Sequence, residues 1–265
     1  MKTGTKITLR IVSSLTAIVL SLLLIKDISA KSGNEPRKRL LTLCYGCGGN
    51  EVDIDILSQD IDLLTNKGYS PVFASEAIDA VLGRTELSEK SVMLCINGKN
   101  ARCKEAVYNK LKESRFKAVV AVNGELTEYA SNSADDNTQY LRWEEIKELH
   151  STNIYEFANA GYSADSDKLL TRRDDESDEH YRDRMLIDID KMQSLCEKNC
   201  GFTPSIFVHD SSTSEQLRSV LKSLSFYGAI EIVGEDGEKF DISSCDRFEL
   251  ECIDRDNIAE LEQIL

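Results

Sequence analysis

Three histidines, three prolines and one tryptophan in 265 residues leave little room for several chemistries. Catalytic zinc sites commonly draw on two or three histidines. Any metal-dependent function must therefore be assembled from Asp and Glu together with His150, His180 and His209. Cations are scarce too: 32 Lys and Arg stand against 46 Asp and Glu, a net charge of −14. Nucleic-acid affinity comes mainly from Lys and Arg neutralising phosphates, so no DNA or RNA partner is expected. Cys44-Tyr45-Gly46-Cys47 has no second C-x-x-C to complete a four-cysteine zinc site. No internal repeat is visible. What remains is an ordinary globular balance, 41% hydrophobic and 29% charged, able to bury a sizeable core in one large domain or two small ones.

The N-terminus carries a basic start (Lys2, Lys6, Arg10), an apolar run from Ile11 to Ile25 and a small-residue stretch, Ile28-Ser29-Ala30. This is the layout of a secretory signal peptide. The run falls short of the roughly twenty residues of a bilayer span, although an uncleaved anchor has the same layout. Both readings place the bulk of the chain outside the cytoplasm, secreted or held at the membrane only by this segment. Residues 1–30 are thus read as signal peptide or anchor, 31–38 as a polar tether and 39–265 as the folded domain. Export permits disulfides among the eight cysteines, but spacing does not give their pairing. A redox C-x-x-C should open a helix, where the dipole lowers one thiol pKa. Cys44–Cys47 instead ends an apolar run and enters Gly48-Gly49, which favours buried or disulfide-bonded structural sulfurs over a thiol module.

Short apolar runs (Leu40–Tyr45, Ser91–Ile96, Lys117–Val122, Ile154–Ala158, Ser205–Val208, Ala229–Val233, Arg247–Ile253) alternate with amphipathic stretches. Such runs read as strands buried on both faces, hence parallel. Helices are expected at Asp53–Lys67, Glu76–Leu82 with Ser75 as cap, Ala101–Ser114, Tyr140–His150, Ser177 to about Asn199, Ser214–Ser223 and Asn257–Leu265. Leu126–Gln139 and Ser163–Asp178 read as polar loops. The predicted fold is α/β, a distorted, incomplete (β/α) barrel of about seven parallel strands, with closure not settled by periodicity. In such folds functional side chains follow the C-terminal ends of the strands.

Two stretches carry a resemblance. Gln139-Tyr140-Leu141-Arg142-Trp143-Glu144-Glu145-Ile146-Lys147-Glu148-Leu149, then Ile154-Tyr155-Glu156-Phe157, is similar to Leu-Thr-Trp-(Asp/Glu)-Glu-Ile-(Lys/Arg)-Glu-Met followed by a strand ending Val-Glu-Phe. Leu169-Leu170 through Glu179-His180-Tyr181-Arg182-Asp183-Arg184 into Asp188-Ile189-Asp190-Lys191 is similar to an acidic loop leading into Tyr-Arg-x-Arg and Asp-Leu-x-Lys. On these residues, and on the order of elements from Leu40 to Leu265, the chain resembles the polysaccharide deacetylases with a NodB-homology domain, particularly exported ones acting on poly-N-acetylglucosamine-like polymers.

The resemblance implies a divalent metal held by one Asp and two His. A second Asp serves as general base for water attacking an N-acetyl carbonyl. The matching positions here are Ile96 for the base, Asn97 for the Asp ligand, and Ala160 and Ala164 for the histidines. No catalytic group is intact, and no cofactor is expected. The chain then reads as a catalytically inactive relative whose cleft, lined by Tyr45, Asn97, Asn159, Tyr162, His209 and Asp210, binds a cell-envelope polysaccharide or a surface protein. The alternative is a divergent N-deacetylase with one divalent metal such as Zn at a relocated site on His209, Asp210 and Asp165. Trp143 reads as a core anchor and His150 as a contact to a helix dipole.

Overall fold

The computed structural model describes residues 39–47, 51–97, 104–135, 138, 140–164, 166–210, 213–233, 240–243 and 245–265. The N-terminal segment and tether lie outside these residues. Lys38–Leu265 forms one compact unit. Among the described residues no helix is long and apolar enough to cross a membrane.

Among the described residues nine strands follow in chain order: β1 (Arg39–Tyr45), β2 (Ser70–Pro71), β3 (Ser91–Asn97), β4 (Ala118–Val122), β5 (Tyr155–Asn159), β6 (Ile206–His209), β7 (Gly228–Val233), β8 (Phe240–Asp241) and β9 (Leu250–Asp254). Seven of them run parallel and form a closed ring, β1–β3–β4–β5–β6–β7–β9 and back to β1. The expected distorted barrel of seven parallel strands is thus present, and its ring is closed rather than incomplete. The distortion lies in two thin seams. β5 meets β6 through Asn159↔Phe207, and β9 meets β1 through Leu43↔Ile253 and Cys44↔Asp254. β2 extends the start of β3, and β8 lies antiparallel to the start of β1.

The strands are buried on both faces because alternate residues serve two cores. Leu40 and Cys44 of β1, Met93 and Cys95 of β3, and Leu250 and Cys252 of β9 share one cluster inside the barrel. Their neighbours Leu41, Leu43, Leu94 and Ile96 pack outward, under the helices Ile54–Asn66 and Lys104–Ser114. A third cluster sits between β6, β7 and the helices Asp178–Cys200 and Glu215–Ser223. The helix Ala74–Val81 sends Ala77 and Ile78 into the interior cluster and plugs the bottom of the barrel. Gly228 permits that plug: a Cβ there would lie 2.4 Å from Ile78 Cδ1 and 2.3 Å from the Arg247 carbonyl.

The caps explain most boundaries. Asp53, Ser177 and Ser214 cap their helices through side-chain oxygens, as their sequence contexts suggest. Four expectations need correction. The stretch Ser163–Asp178, read as a loop, contains the short helix Ser166–Leu170. Ser75 is not a cap: the helix begins at Ala74, Glu76 accepts the Phe73 amide, and the Ser75 amide donates to Glu156. Part of the polar stretch after β4 is helical, Gly124–Asn132, capped by Asn123. Its buried residues are small (Gly124, Thr127, Ala130), so it shows almost no apolar stripe. Finally, Asn257–Leu265 forms no α-helix. Two 3-10 turns, Arg255–Asn257 and Leu261–Gln263, take its place.

Candidate functional site

The C-terminal ends of β4 and β5 set up a rigid corner. Gly161 takes φ +81°, a left-handed conformation that suits glycine. The turn it makes brings the chain back over the start of helix Gly124–Asn132. There the Gly124 amide donates to the Gly161 carbonyl (3.1 Å) and the Glu125 amide to the Tyr162 carbonyl (2.8 Å). Asn123 Nδ2 donates to the Ser163 carbonyl (2.6 Å), and the Ala164 amide to Glu125 Oε2 (2.9 Å). From the other side, Asp188 accepts the amides of Tyr162 (2.7 Å) and Ser163 (3.0 Å). Gly124 is required for this approach, since a Cβ there would stand 2.7 Å from the Tyr162 ring. Tyr162 is fixed by its hydroxyl on Glu128 Oε2 (2.9 Å) and by Lys191 Nζ, 3.2 Å from the ring centroid.

Beside this corner opens a groove of about 740 Å³, lined by Glu125, Tyr162, Ser163, Ala164, Lys168, Leu169, Arg173 and one face of helix Asp178–Cys200. That face presents His180, Asp183, Arg184, Ile187, Asp188 and Lys191, at helical spacing. The opposite wall is stapled by Arg184, which donates to the carbonyls of Lys168 (2.6 Å), Leu169 (2.8 Å) and Thr171 (3.1 Å). Its guanidinium also holds Glu176 through two bonds of 2.8 Å. These bonds depress the Glu176 carboxyl to about 2.

The sequence-predicted site residues within the described part of the chain divide into four sets. Tyr162 and Ala164 line the groove. Asn97 and Ala160 lie at the mouth of the barrel interior, Asn97 donating its amide to the Gly46 carbonyl (2.6 Å) and Ala160 packing on the interior cluster. Asp210, following β6, is exposed. Tyr45, Asn159 and His209 were expected to line the cleft, and the structure turns them outward instead. Tyr45 donates to Asp60 (3.0 Å) beside Arg255, and burial followed by the Asp60 charge raises its pKa well above the usual value. Asn159 is fully buried between the Gly161 amide and the Ile189 carbonyl. His209 stacks on Phe207 and its Nε2 lies 3.2 Å from Thr213 Oγ1. Ile96 also packs outward. The proposed partner of His209, Asp165, lies outside the described residues.

The divalent metal implied by the resemblance does not fit the residues at the matched positions. Ala160 and Ala164 offer no lone pair from a side chain, and Asn97 offers a neutral amide in place of a carboxylate, its NH2 donating to the Gly46 carbonyl. Among the described residues no group of three or more His, Cys, Asp or Glu is placed to hold a metal ion. Cys44 and Cys47 form a disulfide, with Cys47 buried at the mouth. Trp143 is a core residue, its carbonyl 3.4 Å from Cys200 Sγ. His150 stacks on Phe202 at 3.8 Å, and burial lowers its pKa, which weakens the expected dipole role.

Sequence reasoning missed Lys168, Arg173, Arg184, Ile187 and Lys191 as groove residues. The signal was there for four of the helix positions. His180, Arg184, Ile187 and Lys191 recur at intervals of four, three and four, which marks one helix face.

A closed ring of seven parallel strands, wrapped by helices and with an open groove at the C-terminal ends, is a (β/α) barrel. Solved structures show the same fold. A de-N-acetylase from Aggregatibacter actinomycetemcomitans aligns with TM-score 0.68 and 17% identity over 86% of this chain and 100% of its own. The deacetylase domain of BpsB from Bordetella bronchiseptica gives 0.67 and 14%, over 83% and 98%. The Streptococcus pyogenes deacetylase PplD, solved with acetate, gives 0.65 and 14%, over 87% and 99%. The fold is therefore that of the NodB-like polysaccharide deacetylases. No protein-family model and no curated protein matches the chain.

Proposed function

We propose that this chain is an exported, deacetylase-like protein of the cell envelope that binds carbohydrate at the C-terminal end of its barrel without hydrolysing it. The N-terminal segment would direct export or hold the domain at the membrane surface. One observation carries the reading. The four positions matched to the base and metal ligands hold Ile96, Asn97, Ala160 and Ala164, with Ile96 packed outward and the Asn97 amide bonded to Gly46. A general base contributes about 10²–10⁴ in rate, and a side chain without a lone pair cannot replace it. The pinned Tyr162 and the neighbouring groove supply what recognition needs: fixed polar groups around open space.

The test uses the purified full chain with N-acetylglucosamine oligomers and added Zn, Co or Ni. Binding without acetate release is the expected result. Metal-stimulated acetate release, abolished in His209→Ala, would replace this reading with the relocated-metal hydrolase.

A further inference from the structure

Against a chain charge of −14, the groove gathers Lys168, Arg173, Arg184 and Lys191 with His180 around about 740 Å³. Its carboxylates are already engaged from the protein side. Glu125 accepts the Ala164 amide, and Asp188 accepts two backbone amides and the Ser163 hydroxyl. Asp183 lies 3.4 Å from Arg182. Arg184 is committed to Glu176, but Arg173 lies beside that pair and Lys191 beside the Tyr162 ring, both on the groove lining. An adjoining hollow of about 520 Å³ shares Lys168 and Arg173 and adds Arg172 and Asp174, so cations continue beyond the groove's end. Leu169 and Ile187 add apolar surface, and Ile187 is 67% exposed although it faces the cavity.

Carboxylates fastened by amides and hydroxyls attract cations less than free ones, because those bonds spread and offset their charge. An anion entering the groove would meet cationic donors, with apolar surface for the carbon face of a sugar ring. We propose that the groove binds an acidic saccharide unit, a sugar bearing a carboxylate or phosphate, with Arg173 and Lys191 reading its charge. This rests on the carbohydrate-binding proposal above and specifies its ligand class.

The full chain is titrated calorimetrically with oligogalacturonate, glucosamine 6-phosphate, a neutral N-acetylglucosamine tetramer and inorganic phosphate, at low and high salt. The acidic sugars should bind at least about tenfold more tightly than the neutral tetramer and lose affinity with salt. Arg173→Gln and Lys191→Gln should each cut acidic-sugar affinity by roughly tenfold, the scale of one charge-assisted hydrogen bond, and cut neutral binding far less. Stronger binding of oligogalacturonate or of the phosphosugar identifies the charged group. Arg173→Gln keeps the test decisive should Lys191→Gln disturb Tyr162. Equal or tighter binding of the neutral tetramer overturns the inference and leaves carbohydrate binding standing. Unchanged oligogalacturonate and glucosamine 6-phosphate affinity in the double variant also overturns it. Binding of inorganic phosphate with no saccharide bound overturns the carbohydrate reading itself.

Discussion

Inside the barrel, Cys44, Met93, Cys95 and Cys252 have no exposed surface and pack among aliphatic side chains; in the flanking groove, Ile187 is two-thirds exposed and charged side chains ring an open cavity. The interior residues lie on β1, β3 and β9, and the groove opens beyond the C-terminal ends of β4 and β5. In the barrel, position is set by close packing, which tolerates no added volume and few polar atoms. In the groove, position is set by hydrogen bonds from one backbone stretch to another, with Asn123, Asp188 and Arg184 as staples. A ligand can enter only the second kind of wall. The interior has lost polar reach at its mouth, where Asn97 turns its amide onto Gly46, whereas the flank keeps ionised groups at a fixed spacing.

Substitutions in the ring should therefore cost stability, and substitutions in the groove should change titration or binding. The largest effect belongs to the seam between β1 and the C-terminal turn. Asp60 is 4% exposed and is held by both Arg255 (Nη2 at 3.1 Å) and the Tyr45 hydroxyl. Asp60→Ala leaves the Arg255 charge buried without its partner and should cost about 3–5 kcal/mol in urea unfolding. A loss below 1 kcal/mol would mean that the ion pair does not hold the seam. Next comes Gly228→Ala, which drives a methyl into Ile78 and the Arg247 carbonyl at the plugged bottom. Overpacking of this kind costs about 1–3 kcal/mol, read from the same unfolding curves.

The smallest effect concerns the groove wall. Glu176 ionises near 2 because of its bonds to Arg184, against 4.5 for an ordinary glutamate. Its folded pKa is depressed, so the support it gives is complete above about pH 4.5 and is lost as pH falls toward 2. Arg184→Gln should return the carboxyl toward 4.5 in an NMR titration, with little change in global stability. A Glu176 titration unmoved by that substitution would separate the staple from the ion pair.

The seven strands were legible because each is a short apolar run, and most helix starts because Asp53, Ser177 and Ser214 stand at the right offsets. The helix after β4 was hidden, since it buries Gly124, Thr127 and Ala130 rather than large side chains. Of the residues named at strand ends, Tyr162 and Ala164 line the groove, whereas Tyr45, Asn159 and His209 face outward. Ring closure aims alternate residues inward and outward, and these three fall on the outward set.

The order of the ring strands, the caps at Asp53, Ser177 and Ser214 and the absence of acid and histidine at the matched positions were set by the amino-acid sequence, because each depends on one residue or its near neighbours. Which face of each strand looks into the barrel was decided only in three dimensions. Both faces of a parallel strand are apolar, so the pattern carries no parity, and a shift of one residue reverses every side chain. The groove arises likewise from the meeting of the corner at Gly161 with a helix face some twenty residues further along the chain.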